Sequence, residues 1–174
     1  MAMQMLAAAG VPVVTDGVRQ AGEDNPKGYF EDERVKNLHK ENEDRSWLRD
    51  ARGKAVKIIS FLLKDLPESN NYKIIFMKRP LPEVLASQKK MLERRNEADE
   101  SGDERMLELW ENHLLRLSYL LKHGDQFETL EVAYTDVIED PLREARRIRD
   151  FLELKADPET MVAAVDESLY RNRG

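Results

Sequence analysis

The chain has no cysteine. That removes disulfides, thiolate metal sites and a cysteine nucleophile together, and it suits a reducing cytoplasm, the expected compartment. Long apolar runs are missing too: nothing approaches the ~20 residues of a membrane-spanning helix, so no membrane partner is expected. The opening MAMQMLAAAG carries no basic residue and stops at Gly10, which does not read as a secretory signal. An excess of positive charge is also absent. With 28 Lys and Arg against 34 Asp and Glu the formal net charge is −6, which argues against a nucleic-acid partner, because phosphate backbones are held by basic surfaces. A small phosphorylated molecule needs only a few converging basic groups, so that class of ligand stays open. Glycine is scarce, eight residues scattered through separate turns, and no GxxxxGK or similar phosphate-cradling loop occurs.

What is present is an alternation. Four short runs rich in β-branched residues read as strands: Val11 to Val14, Ala55 to Ser60, Tyr72 to Met77 and Thr129 to Tyr134. The middle two are almost continuously apolar, as strands buried on both faces of a parallel sheet would be. Helical patterns fall between and after them, over 2–9, 31–42, 82–95 and 104–122, then after the pairs Asp140-Pro141 and Asp157-Pro158, each an N-cap followed by a first-turn proline. Strands alternating with helices predict one α/β domain over 1–174 with a mostly parallel sheet. The segment Glu93 to Arg105, nine charged residues in thirteen, reads as an exposed connection.

The segment KIIFMKRPLPEVLAS places Arg79 at the end of a buried strand and Ser87 in the second turn of the helix that follows. In open α/β sheets ligands bind beyond the carboxyl ends of the strands, and an arginine fork there suits an anion. The plain alternative is a surface charge and an idle helical serine. Of the three histidines, His113 and His123 are ten positions apart with no third ligand nearby, so no metal is expected.

This segment resembles the 3′-phosphate-binding element of sulfotransferases: strand, Arg, Pro, an acidic residue and a Ser eight positions after the Arg. Arg79, Pro80, Glu83 and Ser87 keep that pattern. EDNPKGYFE (Glu23 to Glu31) is similar to the substrate-side loop of bacterial members, and LEVAYTDVIEDPLREARRIRDFL (Leu130 to Leu152) to the family's strand, acidic turn and amphipathic helix. The resemblance implies a P-loop NTPase-like three-layer sandwich. It implies transfer of a sulfuryl group from 3′-phosphoadenosine 5′-phosphosulfate to a hydroxyl or amine, without a metal. Arg79 and Ser87 would hold the 3′-phosphate of the donor, or of its product adenosine 3′,5′-bisphosphate. Glu31, then His39, are the candidate bases, and the terminal Arg171 and Arg173 would fold over the nucleotide.

One departure stands against the family pattern. Its members open with a strand and a loop such as PRSGTS, whereas this chain begins on what looks like the following helix. About four strands are recognisable, and the missing first strand would lie centrally, between Ala55 to Ser60 and Tyr72 to Met77. A misplaced start, a degenerate relative, or edges filled by a partner such as a second copy all follow from that. Two further readings of function remain open: a non-catalytic subunit on the same scaffold, and a P-loop kinase or NTPase relative. The acceptor is not stated by any motif.

Overall fold

The computed structural model describes residues 1–18, 28–86 and 103–166. Ser87, Arg171 and Arg173 lie outside the described residues, as do 19–27 and most of the charged connection.

α1 (Ala2–Ala8) ends where Gly10 turns to φ 81, a left-handed conformation that glycine adopts without a Cβ penalty. β1 (Tyr72–Lys78) and β2 (Phe127–Ala133) form a parallel ladder, in register from Tyr72 opposite Phe127 to Lys78 opposite Ala133. Between them run α4 (81–86 among the described residues) and the long α5 (Asp103–His123). After β2 come α6 (Tyr134–Glu139), α7 (Pro141–Leu152) and α8 (Pro158–Val162). Both Asp-Pro starts hold: Asp140 accepts from the Arg143 amide at 3.0 Å and Asp157 from the Glu159 amide at 3.0 Å.

Helices cover both sides of β1. Ile74 and Phe76 pack against one core, built by Val35, Leu38, Trp47, Leu48, Leu62, Leu63, Leu66, Leu117 and Phe127. Ile75 and Met77 pack against a second, built by Met5, Leu6, Val132, Val137, Ala145, Ile148 and Met161. The alternation follows from the two-residue period of a strand. The segments around Val13 and Ala55 show the same division: Val14, Val56 and Ile58 join the first core, Val11 and Ala55 the second.

The fold is therefore mixed α/β with a small parallel sheet. Two of the four expected strands stand in the ladder. The other two meet in a single parallel bridge, Val13 with Ala55. Chemistry ends the bridge on both sides. The rung below would need an amide from Pro12, which has none. The rung above would need the Asp16 amide, which donates instead to the Glu31 carbonyl at 3.2 Å.

Other expectations need correction. Residues 31–42 do not form one helix. α2 spans Glu33–Lys36, and the Arg45 guanidinium then takes the carbonyls of Leu38 at 2.7 Å and Lys40 at 3.2 Å, ending the helical run. Ser60 opens a 3-10 helix (Ser60–Asp65) rather than ending a strand, and Tyr134 opens α6. Residues 103–105 belong to α5 and not to the charged connection. α3 (Trp47–Asp50) completes the first core layer, with Arg34 over the Trp47 ring at 4.5 Å.

Candidate functional site

Because Lys78 stands opposite Ala133, the next residue of each strand, Arg79 and Tyr134, emerges at the same end of the sheet. Their side chains meet: the Arg79 guanidinium lies 4.6 Å over the Tyr134 ring. A desolvated cation–π contact of this kind contributes on the order of 1 kcal/mol. Glu83 reaches back from α4, one helical turn on, and its Oε2 accepts from Arg79 Nη2 at 3.3 Å. The pair is well sheltered, with side-chain exposures of 28% for Arg79 and 10% for Glu83. Burial pushes the Tyr134 phenol above its ordinary pKa, against the opposing pull of Arg79.

A second charged pair lies just beyond the Val13–Ala55 bridge. Glu31 receives the Lys57 ammonium at 2.8 Å, and Lys57 also donates to the Tyr29 carbonyl at 3.2 Å. The Glu31 backbone is fixed to the end of the Val11–Val14 segment, where Thr15 Oγ1 donates to its carbonyl at 3.1 Å. Glu31 is not part of the helix start. Asp32 is the N-cap of α2, accepting from the Arg34 amide at 3.0 Å, and its carboxylate also takes Arg34 Nε at 2.9 Å. The Arg34 bonds hold Asp32 below the ordinary aspartate range. Glu31 is instead held by an ion pair across two chain segments.

His39 sits exposed in the turn after α2, and no hydrogen bond or ion pair joins it to Glu31 or Arg79 among the described residues. His113 is engaged elsewhere. Its Nε2 is 2.9 Å from Ser60 Oγ, and its ring stacks on Phe61 at 3.7 Å. Burial first, and Lys64 second, lower its pKa, favouring the neutral imidazole. Among the described residues no group of three or more His, Cys, Asp or Glu side chains gathers as a metal site. No described helix is long and apolar enough to cross a membrane.

Reading the residues in order misses Tyr134, whose place against Arg79 follows only from the strand register. It misses Lys57 as well, although a lone charge inside an apolar strand run is a visible signal.

The chain is an α/β protein with a sheltered arginine at the carboxyl end of its parallel strands, the end at which open α/β sheets take their ligands. A family model described as "Sulfotransferase family" matches residues 24–158. The chain belongs to the sulfotransferase family. Neither the curated proteins nor the solved structures yield a match.

Proposed function

We propose that this chain binds 3′-phosphoadenosine 5′-phosphosulfate and serves transfer of its sulfuryl group to a hydroxyl or amine acceptor. The observation that carries the reading is the Arg79 guanidinium at the carboxyl end of β1, braced on Tyr134 at the end of β2. A 3′-phosphate suits that group: a planar fork gives two charge-assisted bonds to one phosphate, and a half-sheltered site strengthens them. Ser87, Arg171 and Arg173 are assigned to the same nucleotide by the family pattern.

Sulfuryl transfer resembles phosphoryl transfer in its needs: reactants held in line, positive charge near the transferred oxygens, and a base for the acceptor proton. Glu31 takes the part of the base in preference to His39, a choice supported by its ion pair with Lys57. Lys57 supplies positive charge beside it.

The finer architecture belongs to this reading too. The Val13–Ala55 pair and the β1–β2 ladder are taken as parts of one parallel sheet of the P-loop NTPase type, supported by their shared division between the same two cores.

Calorimetry with adenosine 3′,5′-bisphosphate tests the assignment. Arg79→Ala is expected to weaken binding by about 10- to 100-fold, the worth of one or two charge-assisted bonds. Unchanged affinity in that variant sinks the reading.

A further inference from the structure

We infer that Glu83 is a positioning residue for anion recognition, setting the in-plane rotation of the Arg79 guanidinium and so the preference for a ligand bearing phosphate at that point. The inference rests on the reading of Arg79 given above.

Two contacts on Arg79 restrain different motions. The Tyr134 face, 4.6 Å from the guanidinium carbon, fixes the distance between ring and cation. It does little to stop the fork turning in its own plane, because the attraction to a ring face depends weakly on that rotation. A carboxylate at the rim does stop it. Glu83 Oε2 meets Nη2 at 3.3 Å, which assigns one corner of the fork. A guanidinium carries five N–H donors, so a carboxylate oxygen and a phosphate can share it through different corners.

Glu83 is itself held. Its amide and that of Val84 donate to the Pro80 carbonyl at 3.0 and 3.2 Å, closing the first turn of α4 immediately after the strand. Pro80 and Pro82 limit the backbone between the two partners. The residue is only 8% exposed. An exposed ion pair would trade its geometry for solvent at little cost. A sheltered carboxylate has less freedom, since turning away from Arg79 gives up an ion pair where water can replace it only poorly.

The experiment compares two ligands, adenosine 3′,5′-bisphosphate and adenosine 5′-monophosphate, across wild type, Arg79→Ala, Glu83→Gln and Glu83→Asp. Melting temperature is recorded alongside each titration. Glu83→Gln is expected to lower bisphosphate affinity about five- to tenfold while monophosphate affinity stays within about twofold, the loss of one oriented charge-assisted bond. Glu83→Asp should recover part of the preference. Equal loss for both ligands would mark Glu83 as merely structural and overturn the inference, as would wild-type affinity for both. If Arg79→Ala weakens bisphosphate binding and Glu83→Gln does not, the inference fails while the function stands. If Arg79→Ala changes nothing, both fail. Should the Glu83 variants not fold, side-chain NMR of the wild type decides: separate, slowly exchanging Arg79 Nη signals are expected, and one averaged signal overturns the proposal.

Discussion

The two faces of the sheet are built by different means. On the side of α1, α6, α7 and α8 the core is tight: Met5, Val132, Val137, Ala145, Ile148 and Met161 are all 0% exposed. On the side of α2, α3, α5 and the 3-10 helix, only Leu38 reaches that value. Short elements there are secured by polar contacts instead, such as Arg45 on the Leu38 carbonyl, Asp32 with Arg34, and Ser60 with His113. Among the described residues, Trp47 Nε1 and Arg45 Nε are buried on this side with no hydrogen-bond partner. The first face is set by tight apolar packing around one buried, ion-paired carboxylate, Glu144, and the second by looser packing with more dispersed polar contacts. Lost methyl groups should cost more on the first.

The largest effect is expected from Ile148→Ala, which leaves a cavity where nothing can collapse from solvent. A loss of about 3 kcal/mol in urea denaturation follows, and Leu62→Ala on the other face should cost visibly less. Equal costs would break the contrast.

Asp32→Ala comes next. It removes a helix cap and a two-bond partner of Arg34, for about 1–2 kcal/mol. The sign of its acid dependence is determined. Because the folded carboxyl titrates below the ordinary aspartate value, its stabilisation is complete above about pH 4 and is lost as pH falls through the folded pKa. Wild type should therefore lose stability faster than Asp32→Ala below about pH 4. Parallel acid curves for the two proteins would refute this.

The smallest concerns His113. Its folded pKa lies below the ordinary value, so its neutral form is favoured and stability declines as pH falls from about 6.5. The ring is only partly buried, so this is the smallest of the three effects. His113→Gln should flatten stability between pH 7.5 and 5.5, and a slope unchanged from wild type would remove the group from the account.

Local signals in the chain were the readable ones. Gly10 after α1, Asp140-Pro141 and Asp157-Pro158 name their turns and caps because those effects act over three or four residues. The nearly continuous apolar run at Tyr72 names one strand of the ladder, as burial on both faces would have it, whereas the equally continuous run at Ala55 yields a single bridge and then a 3-10 helix. The run from Val11 is equally β-branched, yet it yields one bridge, because Pro12 lacks a donor and the Asp16 amide goes to Glu31. That second partner is distant in the chain, and nothing in VPVVTD announces it. The candidate site divides in the same way. Arg79 and Glu83 are legible as a spaced motif, and Glu31 as part of GYFE. The bracing of Arg79 by Tyr134 and of Glu31 by Lys57 depends on strand register and on a loop crossing, which are tertiary facts.

The matched ends of β1 and β2 carry a thermodynamic consequence. A ligand gripped through Arg79 while that side chain rests on Tyr134 bears on two strands contributed by well-separated stretches of chain. Neither half of that grip exists once the ladder opens. Binding and ladder integrity are therefore linked equilibria, and ligand at 100 times its dissociation constant adds about 2.7 kcal/mol to the folded state. Melting temperature would then report occupancy by the proposed nucleotide, independently of any acceptor.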